Sequence, residues 1–230
     1  MMRLVLSLAL LAAPLLASAD RFTAITVDTR AERLELFLND DTGAPLRRLD
    51  RLDAWLQSKK RQLRFAMNAG MFEPDLSPVG LFVAHGREIK SLNVADGPGN
   101  FYLKPNGVFF LTDAGPKILR STKYSEPRAG VLLATQSGPL LLEGGVINPA
   151  FSASSKSKHI RNGVGVRGHE AIFVISDEPV TFHEFASYFK DQLHCPDALY
   201  FDGVVSSLLA PDLGRRDSTV DLGPMIAVMK

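Results

Sequence analysis

Short apolar runs, each cut off by glycine, proline or asparagine, recur along most of this chain and limit what it can fold into. Runs of that length read as strands rather than helices. Residues 22–29 and 33–38 alternate apolar and polar side chains, as early strands should. Residues 63–67 form a strand that ends at Asn68, and further strand-like pieces cover residues 107–111, 131–135 and 198–201. Residues 163–166 and 171–175 flank Arg167-Gly168-His169-Glu170 as a hairpin, and residues 224–229 close the chain with a last strand.

Two segments carry helical spacing instead. Residues 45–62 set Leu46, Leu49, Leu52, Trp55 and Leu56 on one face, with Arg48, Asp50, Arg51 and Lys59 opposite. The second segment begins near Thr181, where Thr181 and Glu184 have capping-box spacing. Phe182, Phe185, Phe189 and Leu193 form its apolar stripe, with His183 and Tyr188 off it. The expected fold class is α+β. Residues 20–230 form a single domain with a large mixed or mainly antiparallel sheet and two principal packing helices.

The N-terminus carries Met1-Met2-Arg3, an uncharged apolar stretch from Leu4 to Ala17, and the small-x-small site Ala17-Ser18-Ala19. That order is the pattern of a signal peptide, residues 1–19, and its apolar stretch is too short to span a bilayer. The expectation is a periplasmic or secreted protein with no stable transmembrane anchor. Without Arg3, the leader's one charged residue, 25 basic residues balance 25 acidic ones. Both signs are interspersed, so the chain lacks the basic footprint of a nucleic-acid binder. Cys195 is the single cysteine, which excludes an intramolecular disulfide and a Cys/His metal site. An inert buried thiol is the expected role.

Chemistry-bearing residues gather where strands stop. Tyr200-Phe201 runs into Asp202-Gly203, then Val204-Val205-Ser206-Ser207. A buried strand holds its terminal side chains rigidly, which suits a catalytic carboxylate, although Asp202 and Gly203 also suit a plain turn. Asn68-Ala69-Gly70 precedes Pro78-Val79-Gly80, where Asn68 can donate and accept and Gly70 and Gly80 permit close approach of backbone to a ligand. Asn106 lies in Pro105-Asn106-Gly107, locally a hairpin turn. Gln136, Ser137 and Gly138 follow another apolar run, where an amide and a hydroxyl could face an anionic oxygen. Arg161 enters a strand and offers a planar fork for phosphate or carboxylate. His159 could transfer protons near neutral pH from a loop rich in serine and lysine.

In combination, Asn68-Ala69-Gly70-Met71-Phe72, Gln136-Ser137-Gly138-Pro139, Arg161-Asn162-Gly163 and Asp202-Gly203 followed by serines resemble the phosphodiester glycosidase family. Pro78-Val79-Gly80-Leu81 and Gly99-Asn100-Phe101 match its exported bacterial branch. Two positions depart from the characterised enzymes: Val204-Val205 stand where glycines commonly follow the aspartate, and Ala69 replaces a usual glycine. The resemblance implies hydrolysis of a sugar 1-phosphodiester, between the anomeric carbon and a phosphate oxygen, in the cell envelope. It implies Asp202, Arg161 and Asn68 as catalytic residues. Gly70, Gly80, Asn106, Gln136, Ser137, Gly138, His159, Gly203, Ser206 and Ser207 would contact a sugar-phosphate or glycan substrate. No cofactor or metal ligand set is implied, and dependence on a divalent metal stays open.

Two other readings remain. A noncatalytic envelope protein binding glycan or sugar phosphate would use the same donors. A serine hydrolase would draw on Ser137 or Ser206 with His159 and Asp202, but neither serine sits in a Gly-x-Ser-x-Gly elbow. The leader makes a direct prediction. Intact-mass measurement of protein recovered from the envelope should give a chain starting at Asp20; retention of Met1 on most of it would overturn the export reading.

Overall fold

The computed structural model describes residues 21–124, 130–217 and 220–230. The leader, residues 1–19, lies outside the described residues. Within them, strand alternation turns one side of each long strand inward, and the inward sides of three antiparallel sheets meet in one core. The first sheet has six strands in the order β1 (Phe22–Asp28), β12 (Glu170–Ser176), β11 (Asn162–Arg167), β13 (Asp197–Asp202), β9 (Leu140–Glu143) and β10 (Val146–Ile147). The second orders β15 (Arg215–Arg216), β14 (Leu208–Ala210), β3 (Leu63–Asn68), β16 (Met225–Met229) and β2 (Leu34–Phe37). The third orders β5 (Arg87–Lys90), β4 (Phe82–Ala84), β8 (Val131–Ser137), β6 (Gly107–Thr112) and β7 (Gly115–Arg120). The mainly antiparallel α+β expectation holds, and the strands are divided among three sheets. Phe173 of the first sheet packs on Phe65 of the second, ring centroids 5.3 Å apart, and on Phe109 of the third at 6.0 Å.

The two α-helices cover outer faces. Helix α1 (Leu49–Ser58) lays Leu49, Leu52 and Leu56 on the second sheet, against Ala66, Leu209 and Met225. A helix this short is marginal alone, so burial of three leucines at about 2 kcal/mol each is what holds it. It is shorter than the helix expected over residues 45–62. Arg47 at φ 67° and Lys60 at φ 59° adopt left-handed backbone, which stops the helix at both ends.

Helix α2 (Phe182–Ser187) covers the first sheet and opens on the expected capping box. Thr181 Oγ1 accepts from Glu184 N at 3.1 Å, and Glu184 accepts from Thr181 N at 2.7 Å. Its apolar stripe continues through a π-helical turn, Tyr188–Gln192, so Phe185 and Phe189 both stay buried beneath it. Cys195 is buried in the same cluster, where burial pushes its thiol up to about 11 and so keeps it protonated. The third sheet has no α-helix over it among the described residues; Leu92, Leu119 and Tyr124 pack on its outer face instead. Nor does any described helix have the length and apolarity to cross a membrane.

Close packing of β11 on β13 depends on Gly163. A Cβ there would stand 2.4 Å from the Leu199 carbonyl oxygen, a backbone atom that cannot rotate away. Gly163→Ala should therefore lower stability by about 1–3 kcal/mol, read as a drop in thermal midpoint. An unchanged midpoint would show that these strands have room to separate.

Candidate functional site

Antiparallel register brings the separate polar clusters to one end of the core. Asn162 opens β11 directly opposite Asp202, which ends β13. Asn68 ends β3 opposite Met225, and Ser137 ends β8 opposite Gly107. Hydrogen bonds then tie these ends across sheets. Ser137 Oγ donates to the Phe201 carbonyl at 2.8 Å, and Thr135 Oγ1 to the Ala69 carbonyl at 2.6 Å.

Two asparagines form the centre. Asn162 Nδ2 donates to the backbone oxygen of Asn68 at 3.0 Å and to its Oδ1 at 2.9 Å. Asn68 Nδ2 returns a bond to Asn162 Oδ1 at 3.2 Å. Each side-chain oxygen also accepts from the end of β13 or the loop beyond it: Asn68 Oδ1 from Ser207 N at 2.9 Å, Asn162 Oδ1 from Asp202 N at 3.3 Å. Ser206 Oγ lies within reach of three oxygens but has one proton, and the Asp202 carbonyl at 2.7 Å is the nearest acceptor. Both asparagines are fully buried, so they shape the loop and do not present donors to a ligand.

Asp202 is the ionisable group this scaffold holds. Its Oδ1 accepts from Gly203 N at 2.6 Å and Val204 N at 2.9 Å. Burial raises the carboxyl pKa above the ordinary range, outweighing the N–H groups of Val204, Gly203 and Val205 that favour its charged form. Solvent still reaches the side chain, and Val204 beyond it is 88% exposed. Gly203 is forced by its neighbour, since a Cβ would stand 2.0 Å from the Tyr200 hydroxyl. A cleft of about 390 Å³ adjoins the loop, lined by Ile160, Ser176, Val205, Ser206, Ser207 and Arg215 among others.

Several expected site residues lie elsewhere, for one geometric reason: successive residues on a strand face opposite sides. Thr135 and Ser137 turn inward, so Gln136 turns outward, away from Asn68. Its Oε1 accepts from Leu81 N at 3.0 Å and Asn93 N at 2.9 Å, while Nε2 donates to Asn93 O at 2.6 Å and Ser121 Oγ at 3.0 Å. With all those bonds made, Gln136 clamps a loop and has no amide left for substrate. Arg161 likewise faces the α2 side while Asn162 faces Asn68.

Ser137 is wholly buried beneath the loop, so the hydroxyl assigned to substrate, or to a nucleophile, is committed to Phe201. Asn106 is no exposed hairpin tip. It is buried after a cis Lys104–Pro105 bond, donates to the Phe101 carbonyl at 3.0 Å and lies against Gly138. Gly70 packs on Thr135, and Gly80 on the Gln136 side chain. His159 is exposed on the approach to β11, where its backbone bridges Val180. Asn68, Asp202, Gly203, Ser206 and Ser207 come together; Gln136, Asn106, Gly80 and Gly138 are packing and clamping residues of the third sheet and its loops.

Sequence reasoning passed over Asn162 and Tyr200. Asn162 was visible as the one polar side chain directly before a glycine–valine alternation. Tyr200 was visible as a hydroxyl in an otherwise apolar run. Among the described residues no three His, Cys, Asp or Glu side chains gather as metal ligands would. Wider grooves of about 560 and 680 Å³ open at the opposite strand ends, where Arg61 pairs with buried Glu35 and Arg64 with Glu32. Their charged groups are thereby occupied, and the grooves are remote from the amide pair.

A model of the phosphodiester glycosidase family matches residues 61–223. The uncharacterised protein YigE of Escherichia coli K12 is 36% identical over 186 residues, which span 80% of this chain and 72% of YigE. The catalytic domain of zebrafish N-acetylglucosamine-1-phosphodiester alpha-N-acetylglucosaminidase, solved in a form auto-inhibited by its pro-peptide, superposes with a TM-score of 0.60 at 14% identity. That alignment covers 93% of this chain and 85% of the zebrafish chain. A hypothetical protein from Synechocystis superposes with a TM-score of 0.54 at 15% identity, covering 90% of this chain and 59% of its own.

The amide pair makes a measurable prediction. Asn162→Ala strands the Asn68 side chain in a dry site and should cost about 1–3 kcal/mol. Hydrogen exchange at residues 202–207 should speed up more than in the rest of the first sheet. A purely global loss of stability, with no local excess, would show that the pair does not hold the loop.

Proposed function

This chain belongs to the phosphodiester glycosidase family, and on that premise we propose that it is a hydrolase cleaving sugar 1-phosphodiesters in the cell envelope. The observation that carries the proposal is Asp202: a partly buried carboxyl with a raised pKa, fixed by its own turn at a strand end. Carboxyls whose pKa burial raises cluster at functional sites, where they take up and release protons. In the reaction, water oxygen bonds to the anomeric carbon as the bond from that carbon to the phosphate oxygen breaks. The bonding pair leaves with the phosphate monoester, and Asp202 accepts the proton lost by water. Positive charge gathers on the anomeric carbon in the transition state, and a carboxylate beside it lowers that energy.

A phosphate monoester leaves readily without protonation, so one carboxyl suffices where ordinary glycoside hydrolysis uses two. The fold shared with the zebrafish enzyme supports starting the substrate screen with N-acetylglucosamine 1-phosphodiesters. The exported-protein pattern of residues 1–19 supports the envelope as the place of reaction.

Asp202→Asn should reduce single-turnover hydrolysis by about two orders of magnitude or more. The same change should raise stability at neutral pH, and the sign follows from linkage. With its pKa raised on folding, the native carboxyl binds its proton more tightly than the unfolded chain does. The stability it contributes is full below the ordinary carboxylate range and is lost as pH rises through the raised value. The asparagine variant escapes that loss, so its thermal midpoint should exceed wild type at pH 7 and converge with it near pH 3. A wild-type rate in the folded variant would remove Asp202 from catalysis. Substrate binding by wild type without turnover would favour the sugar-phosphate binding protein instead.

A further inference from the structure

The cleft of about 390 Å³ beside the Asp202 loop is lined by four charged side chains, Asp177, Arg215, Arg216 and Asp217. Three of them form one network. Arg215 Nε donates to Asp217 Oδ2 at 2.8 Å, and its Nη1 donates to Asp177 Oδ1. Thr23 Oγ1 donates to Asp177 at 2.9 Å, and Leu208 N to Asp217 Oδ2 at 3.1 Å. Both acids are thereby turned to Arg215, where they leave the fourth charge unquenched. Arg216 is exposed, and its side chain makes no hydrogen bond or ion pair among the described residues.

An unpaired arginine is ordinary on an open surface, but this one lines a cleft whose wall includes the loop after Asp202. Neither Asp202 nor Gly203 lines it, so the cleft serves a part of a ligand away from the reacting bond. Two acids and two arginines leave it neutral as a whole. It therefore does not gather ions by long-range attraction, and an anion gains there only by direct contact with a donor. Arg215 adds such donors, since its Nη2 has two N–H groups without a partner among the described residues. Its two carboxylates already fix that guanidinium, so little freedom is lost when a ligand arrives. Arg161 has no part in this cleft. It is wholly buried and donates to the Val180 and Ser157 carbonyls and the Tyr200 hydroxyl.

We propose that the cleft holds a second oxyanion of the substrate, a phosphate or carboxylate beyond the scissile phosphodiester, and that Arg216 selects for it. The inference rests on the hydrolase reading above and narrows its substrate class to polyanionic glycans, in which charged groups recur along the chain. The planar fork of Arg216 meets the oxyanion, Arg215 Nη2 adds donors, and Ile160, Val205 and Val220 offer apolar surface to the sugar carbons between anions. This contact is the same in the bound substrate and in the transition state. It lowers KM and leaves the chemistry to Asp202.

The first test titrates inorganic phosphate into the full mature protein, with chloride at matched ionic strength as control. Phosphate should shift the NMR resonances of residues 204–207 and 215–216. Arg216→Ala, a surface change that leaves the core intact, should weaken that binding by about tenfold, and Arg216→Lys should restore part of it. Lys117→Ala, which removes an equal charge from an exposed position on the third sheet, should not weaken it. Acetate, run the same way, decides whether carboxylate serves as well as phosphate; binding of neither would overturn the site. Equal binding by wild type and Arg216→Ala, or an equal loss in Lys117→Ala, would also overturn it. The second test compares two sugar 1-phosphodiesters, one with an uncharged leaving alcohol and one whose alcohol carries a second phosphate. Wild type should favour the second, and Arg216→Ala should cut that preference in kcat/KM by about tenfold, through KM. Phosphate binding at Arg216 in a protein that turns over neither compound would overturn the hydrolase reading and leave the oxyanion site standing. Turnover of both with a preference indifferent to Arg216→Ala would do the reverse.

Discussion

Three antiparallel sheets packed on one apolar core must still be joined where their strands end, because an apolar core can slide but a hydrogen bond sets register. In this protein the Asn68–Asn162 pair is that join. Asn162 stands on the first sheet and Asn68 on the second, and three hydrogen bonds link their side chains and the Asn68 carbonyl. Each bond contributes only about 1 kcal/mol net. Their importance lies in the asymmetry of buried polar groups: made together they fix one alignment, and broken they leave several dry polar atoms unpaired. The same oxygens accept Asp202 N and Ser207 N, so the alignment of the sheets and the shape of the Asp202 loop form one cooperative network.

Strands, both helices and the capping box were legible in the sequence because each depends on local periodicity. Val164 and Val166 inward, or Phe182, Phe185 and Phe189 on one stripe, need no knowledge of distant partners. The residues of the site were legible only as strand ends. Which side of a strand each one faces depends on register and on neighbouring sheets, and that information is not local. Gln136 and Ser137 are adjacent in sequence, yet one clamps Asn93 outside the third sheet while the other binds Phe201 within. Arg161 and Asn162 part in the same way. The polar residue of each motif that looked more chemical, the amide or the guanidinium, proved to face away from the amide pair. Helix α1 shows the opposite limit: its leucine period starts before it, at Leu46, and the left-handed backbone of Arg47 and Lys60 bounds it.

The two ionisable groups at this end are both held in states that folding alone would not select. Asp202 is desolvated with no cation paired to it among the described residues, and Arg161 is desolvated with no anion. A fold optimised for stability alone would bring such charges together, since opposite charges in a low-dielectric interior attract strongly. Here a tyrosine stands between the guanidinium and the turn that follows the carboxylate, and Gly203 is left without a side chain so that the tyrosine hydroxyl fits. Direct pairing would lower the carboxyl pKa and give the guanidinium a counter-charge. The cost falls on the native state, and the buried amides, the capping box and the close-packed aromatic core around Phe173 offset it. The raised pKa of Asp202 is where that cost shows: the carboxyl is held without the cation that would bring its pKa back down.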